Sequence, residues 1–370
     1  MGSCNCTQQA TAQPELDIKA ERLMHKQGQQ AGILTAIEDP FQPTVQPEPQ
    51  LKAPVPVDIL PLQNIVRGYL GRKGLKAVQK DWLDLGSGQS TEAENREETK
   101  EDPTALLSKE AKSTLGRLLP FNYRQRVRDV ARLSAQRLAD GSIYVGQWIT
   151  TVNGAVRQGQ GKLYKKDGGY IEGYWQAGKP HFQARCIFPN GDHYEGQFSQ
   201  GLKSGSGHFA TFDSSQTYTG QWANDKRNGT GLEVTPDINY EGHFFNDVKT
   251  GRGKFQWTDG SWYEGDLLNG EIDGEGEYHW SDGRWYRGQW KEGKMHGKGA
   301  YVTADGKKYV GDYVQDRREG QGVYKWGSNT YDGQWQGNKM HGFGYMSVGD
   351  GPRKRCEFQE GSKVKELPDS

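Results

Sequence analysis

Net charge is the first thing this 370-residue chain lacks, since 47 Lys and Arg residues balance 47 Asp and Glu. Without a basic surplus, bulk electrostatic binding of nucleic acid is not expected. Cysteine is scarce as well. Cys4, Cys6, Cys186 and Cys356 make no disulfide framework and suit a reducing compartment. No apolar run reaches the roughly 18 residues that a membrane-spanning helix needs. The N-terminus is polar from the start, so no secretory signal is expected. Signs of metal and phosphate chemistry are missing too. There is no Cys-x-x-Cys, His279, His296 and His341 lie in separate segments, and no Walker lysine follows a Gly-rich loop. These absences predict a protein with no catalytic residues, no metal site and no cofactor.

Glycine and tryptophan, at 51 and 11 residues, are plentiful, and a tandem repeat explains both. Its unit opens Tyr-x-Gly-x-Trp, as in Tyr144-Val-Gly146-Gln-Trp148, Tyr218-Thr-Gly220-Gln-Trp222, Tyr286-Arg-Gly288-Gln-Trp290 and Tyr331-Asp-Gly333-Gln-Trp335. Units starting at Tyr194, Tyr240, Tyr263 and Tyr309 vary the last aromatic. Ile171-Glu-Gly173-Tyr-Trp175 fills the second slot, and Lys354-Arg-Cys356-Glu-Phe358 fills a degenerate tenth. In units three to nine a Gly-x-Gly begins eleven residues after the unit start, for example Gly274/Gly276 and Gly297/Gly299. Unit two carries Phe182 and Ala184 there, so a local irregularity is expected. The alternation puts tyrosine, glycine and tryptophan on one strand face and the acidic or amide x residues on the other. Each unit reads as a β-hairpin, with a tight turn expected at Lys294–Gly297 and its equivalents. Turn dipeptides such as Asn190-Gly191, Asp259-Gly260 and Asp282-Gly283 then link hairpin to hairpin. A hairpin cannot bury its aromatic face alone, so a fixed period of this length predicts a stacked array. The fold class is all-β: an elongated, twisted single-sheet ribbon preceded by a short, mainly helical and disordered N-terminal region.

These units resemble MORN repeats, over about 144–360. The resemblance implies a non-enzymatic β-meander scaffold that contacts phospholipids, cytoskeletal proteins or partner chains, with a homodimer as one option. On the residues, the array spans 141–361 and a tail 362–370. Trp148, Trp175, Trp222, Trp290 and Trp335 share one face, which reads either as core or as a groove for a partner peptide or helix.

Upstream, residues 1–57 read as a Gln-, Pro- and Ala-rich tether. After loss of Met1, Gly2 is a candidate for myristoylation, with Cys4 and Cys6 for palmitoylation. Cys6 stands where that pattern asks for Ser or Thr. Two chains are needed for stable anchorage. Within a helix expected at 58–82, the run Leu62-Gln63-Asn-Ile65-Val66-Arg67-Gly68-Tyr-Leu-Gly-Arg72-Lys-Gly-Leu75 resembles the IQ motif. The resemblance implies that calmodulin or a related EF-hand light chain clasps this helix through those residues. The bland reading is an amphipathic helix against the array or a membrane. An acidic linker is expected at 83–103, and a helical cap at 104–140 with helices at 104–118 and 122–139, covering the edge of the first repeat strand. Three readings of function follow: a scaffold on the cytoplasmic face of a membrane tuned by a calmodulin-type protein, a structural part of a cytoskeletal or ciliary assembly, or a regulatory subunit of a separate phosphoinositide enzyme.

Overall fold

A computed structural model describes residues 93–123 and 130–368. Gly2, Cys4, Cys6, the 1–57 tether and the IQ-like residues Leu62 to Leu75 lie outside the described residues. What is described forms two compact units, 93–212 and 213–368.

Both units are antiparallel meanders. The first holds β1 (Arg96–Glu98), α1 (Lys109–Arg117), β2 (Ala131–Arg132), β3 (Gln136–Leu138), β4 (Ile143–Thr151), β5 (Gly154–Tyr164), β6 (Tyr170–Gln176), β7 (Lys179–Ile187), β8 (His193–Ser199) and β9 (Leu202–Ala210). From β4 to β9 each strand pairs with the next. The second unit runs β10 (Thr217–Ala223), β11 (Lys226–Val234), β12 (Ile238–Phe245), β13 (Val248–Trp257), β14 (Trp262–Leu268), β15 (Glu271–His279) and β16 (Trp285–Lys291). It continues with β17 (Lys294–Val302), β18 (Lys308–Val314), β19 (Arg317–Trp326), β20 (Asn329–Gln336), β21 (Lys339–Ser347), β22 (Lys354–Gln359) and β23 (Ser362–Glu366).

Of the two helices expected in the N-terminal flank, at 104–118 and 122–139, the first is present in a shortened form. Ser108 caps α1 by accepting the Ala111 amide at 2.9 Å, and a 3-10 turn, Pro103–Leu106, precedes it. Where a second helix was expected at 122–139, the described residues form β2 and β3 instead. β3 pairs with β4 at Gln136↔Tyr144, β2 pairs with β4 at Ala131↔Trp148, and β1 pairs with β3. The reason is the open edge of β4: its backbone donors and acceptors are satisfied by another strand, not by a helix whose own backbone bonds are internal. β1 also occupies part of the expected 83–103 linker. At the other end, β23 lies in the expected 362–370 tail and pairs with β22 around Glu360-Gly361.

The hairpin turns lie three residues earlier than the Lys294–Gly297 reading placed them. Lys291 pairs with Lys294 around Glu292-Gly293, with φ of 51° and 72°. Asn224-Asp225, Asn246-Asp247, Asn269-Gly270 and Gln315-Asp316 repeat this double left-handed geometry. Two-residue turns of this kind match the twist of the strands they join. The turns also lock onto the preceding hairpin: Gly293 N donates to Ile272 O at 2.8 Å, and Asp316 N to Met295 O at 3.0 Å.

Candidate functional site

The repeat is built around a tyrosine interlock. In eight hairpins the opening tyrosine folds back and its hydroxyl donates to the carbonyl three residues on, at 2.8–3.3 Å. Its ring lies over two cross-paired glycines, such as Gly265 and Gly276. A Cβ on Gly276 would come within 2.3 Å of the Tyr263 hydroxyl. The Tyr-x-Gly and the last glycine of Gly-x-Gly are therefore one requirement.

The other glycine of Gly-x-Gly opens a bulge. In the β16–β17 hairpin the register moves from Gly288↔Gly299 to Gln289↔His296, leaving Gly297 and Lys298 extra, and Gly297 takes φ +56°. The Gln289 side chain accepts the Lys298 amide at 3.1 Å. Gln197, Gln221, Asp266, Asp312 and Gln334 do the same in their hairpins at 2.8–3.0 Å. The fourth position of the unit, which the sequence presents as a solvated polar slot, is thus a bulge cap. His243 is the variant, with Nδ1 3.1 Å from Arg252 O.

Unit two shows the same logic by exception. Ile171 stands where the tyrosine would, so no hydroxyl obstructs Ala184. Tyr174 replaces the cap, and Phe182 takes the bulge with φ +58°. The expected irregularity is therefore confined to side-chain filling and a strained Phe182, while the register shift is kept.

The five tryptophans predicted as a partner-binding face are core. Trp148, Trp175, Trp222, Trp290 and Trp335 are at most 7 % exposed. Trp175, Trp290 and Trp335 donate from Nε1 to Gly161, Gly276 and Gly322 carbonyls at 3.1, 3.2 and 2.9 Å. Ring edges meet ring faces, as in Tyr286–Trp290 at 5.0 Å and Tyr309–Trp335 at 5.0 Å. The tyrosines buried by this packing have phenols held well above the ordinary range, burial being the main cause.

Cations cover the rings. Arg318 lies 4.9 Å from the Trp335 centroid, and Arg227 5.0 Å from Phe244. Fifteen residues after the unit start most hairpins carry an aromatic, such as Phe255, Tyr278 or Tyr324, but the fourth carries Glu233. Glu233 pairs with Lys249 at 2.9 Å and with Arg227. Burial opposes its ionisation, but the two cations outweigh it and hold the carboxyl below its usual range. Aligning second strands finds this substitution; the first-strand motif does not.

The opposite face differs between units. In the first, the row Tyr164↔Tyr170↔Ile187 lies beneath α1, in a cluster with Leu107, Ala111, Leu115 and Leu118. Phe121 and Tyr123 pack farther along, Tyr123 against Tyr174 at 5.7 Å and Phe121 beneath Arg185 at 5.7 Å. In the second unit the matching row is Trp262↔His279↔Trp285↔Val302. Its rings stack, Trp262 on His279 at 4.0 Å and His279 on Trp285 at 6.1 Å, and all remain half-buried. Glu277 joins His279 at 2.6 Å and Arg287 at 2.6 Å.

The MORN repeat family profile matches eight of these hairpin units, at 172–193, 194–214, 218–237, 240–262, 263–283, 286–308, 309–330 and 331–352. The chain carries MORN repeats. The Tyr144 hairpin, outside the matched range, has the tyrosine interlock of seven of the eight and a Gln147 cap. Among curated proteins, Alsin of Mus musculus, Pan troglodytes and Homo sapiens is 36% identical over 93 residues. That stretch is 24% of this chain and 6% of Alsin, so the chain spans a small fraction of those relatives. Among solved structures, the SAS-4 (dCPAP) TCP domain of Drosophila melanogaster, in complex with a proline-rich motif of Ana2 (dSTIL), is 14% identical. The match covers 54% of this chain and 99% of that one, with a TM-score of 0.28.

Proposed function

We propose that the chain is a non-catalytic scaffold that docks partner proteins on its MORN hairpins at the cytoplasmic face of a membrane. Acyl chains at Gly2 and at Cys4 or Cys6 hold it there, and a calmodulin-type EF-hand protein binding Leu62 to Leu75 tunes it. One observation carries the docking part. The tyrosines that open the units and the first-strand tryptophans are engaged in the core, within and between hairpins, so the hairpins are rigid while half-buried side chains recur at fixed spacing on the other face. A rigid platform with a repeated surface row suits recognition of an elongated partner. The N-terminal part rests on the sequence patterns alone.

Fractionation of the full chain in its own cells, wild type against Gly2→Ala, tests the anchorage. The proposal expects wild type with detergent-soluble membrane and the variant in the cytosol. Both proteins in a detergent-insoluble pellet would contradict it and favour the cytoskeletal reading. Loss of calmodulin binding on Ile65→Asp is the companion expectation.

A further inference from the structure

The seat of α1 is made of parts that recur in the second unit. Two inter-hairpin loops flank it, closed by Gly168 N to Lys165 O at 3.0 Å and by Gly191 N to Phe188 O at 2.9 Å. Their glycines have φ of 97° and 88°. The helix hangs on these loops: Ser108 N donates to Gly168 O at 3.1 Å, and the Thr114 hydroxyl to Gly191 O at 2.8 Å. Between them the apolar stripe of Leu107, Ala111 and Leu115, at i, i+4 spacing, covers Tyr170 and Ile187.

The loops at Gly260 and Gly283 have the same closure, Gly260 N to Trp257 O and Gly283 N to Trp280 O, both at 3.1 Å, with φ of 89° at both glycines. Between them lie Trp262 and His279, where Tyr170 and Ile187 lie in the first seat. A Cβ on Gly168 would meet Ser108, the cap of α1, at 3.1 Å, whereas one on its counterpart Gly260 would meet nothing within 4 Å. Tyr170 and Ile187 are 1% exposed, yet Trp262, His279 and Trp285 stay half-buried. α1 is the one α-helix among the described residues, and it is already seated.

We infer that the Trp262–His279–Trp285 row, with the free carbonyl edges of the Gly260 and Gly283 loops, is a second helix seat that takes an amphipathic helix of a partner protein. That helix has the α1 pattern: small or aliphatic residues at i, i+4 and i+8, with a Ser or Thr at the register of Ser108 and Thr114 to reach the loops. This rests on the scaffold reading and names its docking site. Trp262 and His279 stand in the places of Tyr170 and Ile187, and the Trp262 indole is broader than a phenol, so the partner's central residue is small, as Ala111 is.

The test uses a fluorescein-labelled peptide with the sequence of residues 105–119, titrated into the full chain and followed by anisotropy. The inference expects saturable one-to-one binding that Trp262→Ala and Trp285→Ala each weaken about tenfold, as loss of an aromatic anchor does. A peptide carrying Asp at the Ala111 position should not bind. The half-buried tryptophans are substituted on a surface, and circular dichroism melts confirm that both variants fold. Three results would overturn the inference: no binding at high micromolar chain, binding indifferent to both tryptophan variants, or binding lost on Ile187→Asp, which reports exchange at the first seat. An affinity that rises on Ile65→Asp with Val66→Asp would also overturn it, naming the chain's own 62–75 segment as the occupant. None of these outcomes alters the fractionation result, so failure of the seat and failure of the anchored-scaffold reading are separable.

Discussion

The β6–β7 hairpin and the β14–β15 hairpin have one topology and one register shift, yet almost every position that defines the repeat differs between them. The first has Ile171, Tyr174, Phe182 and Ala184; the second has Tyr263, Asp266, Gly274 and Gly276 in the same places. The comparison teaches that the motif is a set of coupled pairs. A tyrosine demands the last glycine, and a bulge cap goes with the first. Remove the tyrosine hydroxyl, and Ala184 fits; remove the cap, and Phe182 is tolerated at a strained φ. The outer rows differ as well, one beneath α1 and one open.

Alkali acts on both hairpins, because burial raises the Tyr170 phenol of the first as well. Burial raises the Tyr263 phenol, and Tyr286 and Tyr309 likewise, while Tyr324 is pushed up to about 12. Unfolded phenols lose their protons near pH ~10, so above that pH the unfolded chain binds fewer protons than the folded one. The stability they contribute is whole below about pH 10 and falls as pH climbs through the folded values. Full unfolding of the tyrosine hairpins by pH ~12, followed by circular dichroism, is the expected outcome. Glu233 works the other way, because its lowered pKa contributes stability above the usual carboxylate range that is lost as pH falls.

Gly276→Ala comes next. Its Cβ would meet the Tyr263 hydroxyl at 2.3 Å, and the expected loss is about 3 kcal/mol in urea denaturation, the upper range for overpacking. Ala111→Asp puts a charge into a site with 0% exposure; a loss of about 3 kcal/mol is expected, read as lost amide-exchange protection in α1. On the open row, Trp285→Ala should cost about 1 kcal/mol, the scale of one stacked pair. Equal losses at the two rows would remove the distinction between covered and open. Tyr263→Phe leaves packing intact but deprives the Asp266 carbonyl of its 2.9 Å donor, and about 1–2 kcal/mol is expected from thermal melts.

The hairpins, their period and the sharing of one face by tyrosine, glycine and tryptophan were legible in the sequence, because alternation and glycine placement are local properties. The covering of the tryptophans was not. Whether Trp290 is a contact or a core residue depends on Tyr263 and Gly276, which lie on the two preceding strands. The 131–138 strands were missed because that segment's own pattern is helical, while the open edge of β4 decides its form. The Gln289 cap was hidden because glutamine on a solvent-facing slot gives no sign that a bulge amide lies across from it. The expected acyl and light-chain residues fall outside the described residues, so their place rests on the sequence patterns alone.

A double-mutant cycle on Tyr263→Ile and Gly276→Ala, read by equilibrium denaturation, tests the coupling of tyrosine and glycine most directly. It transplants the Ile171/Ala184 pair into the β14–β15 hairpin. If the hydroxyl is what excludes the methyl group, Gly276→Ala costs about 3 kcal/mol beside the tyrosine and about 1 kcal/mol or less once Tyr263→Ile is in place. Two losses that simply add would contradict the interlock and return the glycines to mere backbone freedom.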